Sequence, residues 1–182
     1  MPKEYGGIKR CKVLRDHDSL KRNLNLYVIS ERRDTTLTPT NDIVKRNVKS
    51  WILKNKMIND TVDILDAKIV NIGIDFVIVG AADVPKYDTL QRCQTALQEL
   101  YSRKMEVGEK FYISEVYTKL NRVEGVVDVS KVKVFQKAGG LYSDIRFDIG
   151  KSMSADGRYI NIPENVIMEI KFLEDDIKGV VS

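Results

Sequence analysis

The sequence predicts an α+β chain, and three observations carry that expectation. Strict two-residue alternation of apolar side chains marks strands, most clearly from Lys68 to Val79, where Val70, Ile72, Ile74, Phe76 and Ile78 share one phase. Three- and four-residue spacing marks helices, as in Val44, Val48, Trp51 and Ile52 and again in Leu90, Cys93, Leu97 and Leu100. The composition, 43% apolar and 31% charged over 182 residues, suits a chain that buries one sizeable core.

In chain order, Lys9 to Arg15 reads as a leading strand, followed from Asn23 by a clear one with Leu24, Leu26 and Val28 on its apolar face. Glu31 to Thr36 is a loop. Thr38-Pro39 is expected to start the first helix, threonine capping and proline occupying the first position, and the helix is expected to run to about Met57. Trp51 is expected to anchor it in the core, while Lys45, Arg46, Lys49, Lys54 and Lys56 form a basic outer surface. Thr61 to Leu65 is a short strand, Asp66-Ala67 a turn, and the long strand follows.

Pro85 opens a second helix whose outer face carries Gln91, Arg92, Gln94, Gln98 and Glu99. After a turn at Val107-Gly108, Ser114 is expected to cap a short helix bearing Val116, Leu120 and Val123, which Gly125 stops. The next strand changes phase between Val129 and Val132, which predicts a β-bulge near Ser130-Lys131. Beyond Gly139-Gly140, Ile145, Phe147 and Ile149 alternate like a half-buried strand, Asp156-Gly157 is a turn of the hairpin type, and Val166, Met168, Ile170 and Phe172 alternate again. An acidic tail starting at Glu174 is expected to be solvated.

Strand, helix, strand, strand, helix, short helix, strand is the ferredoxin-like βαββαβ order, an antiparallel sheet with helices on one face and the first and long third strands at its centre. Residues 1–22 are then an extension or leading strand, 23–137 the domain, and 138–182 a strand-rich arm.

No apolar run approaches the roughly 18 to 20 residues of a membrane span, and the first thirty residues lack a signal peptide's apolar core, so an intracellular origin and no membrane partner are expected. Cys11 and Cys93 form no metal-type pair and are expected as buried thiols. The single histidine, His17, stands in a polar run with no second histidine in the chain, so a metal cage or a Ser/His/Asp arrangement built on it is not expected. The P-loop, dinucleotide, nucleophile-elbow and zincin motifs do not occur, so no catalytic, cofactor-binding or metal residue is assigned and an enzyme is not expected. Charge is uneven: residues 1–60 carry 14 Lys plus Arg against 7 Asp plus Glu, and the other 122 carry 16 against 19. That suits an anionic partner, contact with a second copy, or an ordinary solvated surface.

A basic ferredoxin-like domain is also the scaffold of an RNA-binding module, which needs aromatic rings on the open face of its central strands. The long strand offers Asn71, Gly73, Asp75, Val77 and Val79 there, with no ring, and Tyr27 on the first strand is a single platform. Nucleic-acid binding is therefore kept as the alternative reading and is not the leading one.

Three stretches carry a family likeness. They are Val107-Gly108-Glu109 with Phe111 to Tyr117 and Val123 to Val129; Asn25 to Ser30 before Thr38-Pro39-Thr40; and Val62 to Leu65 leading into Ile69 to Ile74. In this order they resemble the C-terminal region of baseplate J-like proteins. Asp156 to Ile160 with Pro163 to Ile167 is similar to the T-even type contractile-phage branch. Members are commonly much longer, so the resemblance implies that this chain is expected to correspond to the C-terminal portion of such a protein or to a separately encoded piece. The resemblance implies a structural baseplate wedge subunit of the virion tail, assembled in the host cytoplasm, that self-associates as a dimer or ring contact and docks other wedge and tail proteins. Beside it, the apolar alternations exceed what two helices can cover. The expected contact residues are Tyr112, Tyr117, Leu141, Tyr142, Ile145, Phe147, Val166, Met168 and Ile170.

Overall fold

In a computed structural model, which describes residues 7–16, 23–56 and 61–182, the chain is α+β. His17 and Met57 lie outside the described residues. The elements are β1 (Arg10–Arg15), β2 (Asn23–Glu31), β3 (Leu37–Thr38), α1 (Asp42–Asn55), β4 (Thr61–Asp66), β5 (Lys68–Gly80), α2 (Lys86–Ser102), β6 (Phe111–Tyr112), α3 (Ile113–Asn121), β7 (Val126–Lys137), α4 (Ile149–Ser152), β8 (Tyr159–Ile160), β9 (Val166–Glu169) and β10 (Ile177–Val181).

They form two compact units. The first comprises the described residues of Met1–Ile69 with Glu106–Gly108 and Pro163–Ile167; the second comprises Val70–Met105, Glu109–Ile162 and Met168–Ser182. Residues 138–182, expected as a separate arm, thus contribute to both.

In the first unit β2 lies between antiparallel β1 and parallel β4, and its last residues pair with β3. Parallel pairing requires a crossover connection, and α1 supplies it. Leu26, Val28 and Val48 are buried together under this helix, with Val44, Ile52, Val62 and Ile64 packed against them. Val48, 1% exposed, is the anchor, whereas Trp51 is only half-buried. The helix starts later than expected: Thr38 is in β3, and the Asn41 side chain caps by accepting from the Ile43 N–H at 2.8 Å. A side-chain carbonyl there replaces the missing intrahelical acceptor, which the Thr38-Pro39 signal left out. On the other face of the sheet Ile29 is buried with Leu37, Ala67, Ile69, Val107 and Ile167.

The expected pairing of the first and long third strands is not formed. β2 and β5 lie in different sheets. A hairpin needs about two loop residues, and Ala67 alone joins β4 to β5, so β5 cannot fold back onto β4.

In the second unit β5 runs antiparallel to β7 and parallel to β10, and also pairs with β9. Val70, Ile72, Ile74, Phe76 and Ile78 are at most 1% exposed, as the alternation predicts. Each such side chain contributes about 1.5–3 kcal/mol when fully buried. α2 packs on β10 and α3 on β7. Pro85 is the N-cap of α2, and Cys93 and Leu97 are fully buried on its inner face. Burial pushes the Cys93 thiol up to about 11, so it stays a neutral hydrophobe. Cys11, expected buried, is exposed because it shares the outward phase of β1 with Val13 and Arg15.

Ser114 does not cap α3; Tyr112 is at the N-cap with no side-chain bond, and Ser114 lies inside the helix, its N–H donating to the Arg158 carbonyl at 3.1 Å. Gly125, at φ 91°, ends the loop after it. The bulge is where the phase break puts it: Val77 faces Lys131 and Ile78 faces Val129, leaving Ser130 as the extra residue. A second shift leaves Val127 over, and Val127 is 66% exposed.

Residues 143–148 alternate in burial without joining a sheet. The Gln136 side chain substitutes for a strand partner, donating to the Ile145 carbonyl and accepting from the Phe147 N–H at 2.8 Å. Gly157, at φ 68°, forms the expected turn, after which β8 pairs with β6.

β10, which the sequence hides behind its acidic run, is positioned by Gly179, since a Cβ there would overlap the Phe76 ring and crowd Leu90. Gly179→Val is therefore expected to destabilise the chain by about 1–3 kcal/mol in urea unfolding, with Val180→Thr on the exposed side of the same strand near neutral.

Candidate interaction surface

Two buried polar networks fasten the C-terminal segments to β5. Asn71, 2% exposed, donates to the Glu169 carboxylate at 3.0 Å and accepts from the Ser143 N–H at 2.7 Å. Lys104 matches the buried Glu169 charge at 3.3 Å and donates to the Ile170 carbonyl at 3.3 Å. The second network centres on Asp176, 1% exposed, which the expectation of a solvated tail had placed in water. Its carboxylate pairs with Lys137 at 2.6 Å and accepts from the Tyr142 hydroxyl at 2.7 Å and the Phe172 N–H at 2.9 Å. Its backbone carbonyl accepts from the Ile74 N–H at 2.8 Å, which starts the β10 pairing.

Burial depresses the basicity of Lys137, but its bonds to Asp176 and Tyr142 more than restore it, for a net rise above the ordinary lysine value. Burial and the bond to Asp176 likewise raise the Tyr142 hydroxyl. These side chains are engaged with one another. Their chemistry is fastening.

A cavity of about 280 Å³ is lined by Tyr101, Lys104, Phe111, Tyr112 and Glu115 among others. Tyr101 stacks on Phe111 at 5.5 Å, and its hydroxyl is buried without a hydrogen-bond partner among the described residues. Burial first, and the Glu115 carboxylate second, raise its pKa. Among the described residues no group of three potential metal ligands converges.

The expected contact residues divide into three sets. Val166, Met168 and Ile170 are 4%, 0% and 5% exposed, so they belong to the interior and are withdrawn as surface contacts. The strand that holds Val166 and Met168 is buried on both faces, and Ile170 directly follows it, which alternation alone did not reveal. Tyr117, Tyr142, Ile145 and Phe147 are half-buried, and the Tyr117 hydroxyl accepts from the Val132 N–H at 3.0 Å. Tyr112 and Leu141, 43% and 72% exposed, face solvent.

The face of the β10-β5-β7 sheet opposite the helices is the open face on which the sequence places Asp75, Val77 and Val79. Strand register aligns Lys133, Asp75 and Lys178 in one cross-strand row and Lys131, Val77 and Val180 in the next. The three lysines and Asp75 are exposed, as is Val180 at 61%, and Val77 and Val79 are half-buried. Lys131 and Lys133 follow from the bulge, so their placement was legible; Lys178 required knowledge of the β10 pairing.

Asp176→Asn should lower the unfolding free energy by about 3 kcal/mol at neutral pH, because it leaves Lys137 charged and without its partner. Lys137 and Tyr142 hold their protons more tightly folded than unfolded, so their contribution is complete below about pH 10 and is lost as pH rises through the raised values. Urea titrations across that range should show the deficit of the variant shrinking toward alkaline pH.

The chain matches no protein-family model and no curated protein, so the family resemblance rests on its motifs alone.

Proposed function

We propose that the chain is a structural subunit of a contractile phage tail baseplate wedge, similar to the C-terminal part of the T-even type baseplate J-like wedge protein. In this reading it is not an enzyme and takes no cofactor. It self-associates and docks neighbouring wedge and tail proteins in the virion baseplate, after assembly in the host cytoplasm.

The observation that carries the reading is the allocation of polar chemistry. Glu169 and Asp176, the two buried carboxylates among the described residues, are both committed to holding chain segments together, with Lys104 and Lys137 as their cations. Large apolar side chains such as Leu141, Val127 and Val180 stand at the surface instead. A molecule that spends its buried polar groups on rigidity and presents apolar side chains outward suits a component whose surface is its function. The ferredoxin-like order enters the proposal only as an order of elements: β2, α1, β4, β5, α2 and β7 run strand, helix, strand, strand, helix, strand, while their pairings divide between two sheets.

Light scattering at micromolar concentration tests the proposal. The native chain should associate with itself or with neighbouring wedge subunits, and Leu141→Glu with Tyr112→Ser should weaken that association by about tenfold or more without lowering thermal stability. A strictly monomeric native chain, unchanged on adding those subunits, overturns it.

A further inference from the structure

We infer that the open face of the β10-β5-β7 sheet is a docking surface for a protein partner that presents carboxylates around an apolar centre. Two cross-strand rows, Lys133-Asp75-Lys178 and Lys131-Val77-Val180, place three cations and one carboxylate around two valines. Val79 extends the apolar centre beyond them. The carboxylate of the following row, Asp128, is turned to its own backbone, accepting from the Val129 N–H at 2.8 Å.

Among the described residues Lys131, Lys133 and Lys178 have no ion-pair partner. Elsewhere in the same unit Arg92, Arg103, Lys104, Lys119, Lys137, Lys151 and Arg158 have one, whereas Lys110 and Lys171 lie over the Tyr159 and Phe172 rings instead. Three unmatched cations therefore share this face, and the one carboxylate between them leaves a local surplus of positive charge. Opposite charge on a partner would be steered to this face and fixed in register, while Val77, Val79 and Val180 supply the area that desolvation rewards.

A single nucleic-acid strand would also meet the charge, but it gains its hold from stacking on exposed rings. The two rows contain none; Phe135, the nearest aromatic along β7, lies over Gly73 at the end of the face. A protein surface is therefore the occupant the face favours. This holds whichever assembly the chain belongs to, so its failure leaves the baseplate reading standing.

Fluorescence anisotropy on the full chain tests it with three probes: a labelled peptide alternating Glu and Val, the same peptide with Lys in place of Glu, and a mixed-sequence single-stranded oligonucleotide. The acidic peptide should bind at low salt and weaken as salt is added; the basic peptide should not bind. Lys131→Glu, Lys133→Glu and Lys178→Glu together should weaken the acidic peptide by about tenfold or more, and Val77→Ser should weaken it at unchanged salt dependence. The three lysines are exposed, and a Lys→Gln triple variant with native thermal unfolding guards against a folding artefact. Absence of acidic-peptide binding at low salt, or equal binding by the triple variant, overturns the inference and leaves the lysines as guards against edge pairing. Oligonucleotide binding that exceeds peptide binding and is lost in the triple variant overturns it in favour of nucleic acid.

Discussion

Everything in the second unit answers to one constraint, the burial of β5. It is 13 residues long and buried on both faces over its first half, so its backbone N–H and C=O groups cannot turn to water and must be paired by other chain. β7 meets that need along one edge and β10 along the other, with β9 adding its own pairing. The partners come from sequence positions far apart. Long-range closure costs entropy that local contacts do not recover, and the buried networks at Glu169 and Asp176 are where that closure is secured.

What the sequence made legible follows from this constraint. Alternation in β5, the helical spacing in α2 and α3, the turns at Gly108, Gly125 and Gly157, and the bulge at Ser130 are local properties, set by side-chain period and backbone freedom. Pairing is not local. Nothing in Asn23 to Asp66 states that β2 takes β4 as a parallel neighbour, and the one-residue link at Ala67 is the only local sign that β4 and β5 part company. The C-terminal segment was hardest to read because its polar residues imitate surface. Asp176 belongs to an acidic run that looks solvated, and Gln136 completes hydrogen bonds that a strand would otherwise make. Three of the expected contact residues were misplaced in the same way: apolar alternation in Val166, Met168 and Ile170 signals a strand but not whether its second face is also covered.

The bulge ties the fold to the surface. In an unbroken strand starting from the buried Val129, Lys131 and Lys133 would face the core and Val132 would face water. Setting Ser130 aside reverses the phase, so that Val132 and Val134 oppose Phe76 and Ile74 while Lys131 and Lys133 stand opposite Val77 and Asp75. One extra residue therefore keeps the core apolar and directs two cations to the outer face. β10 brings Lys178 to the same row as Lys133 by its parallel register, and that register depends on Gly179 fitting beneath Phe76 and on Asp176 holding the strand's entry. The charge on the open face is thus a consequence of the same contacts that bury β5, which is why a change in the core beneath Phe76 would reach the surface as a displaced lysine rather than as a lost one.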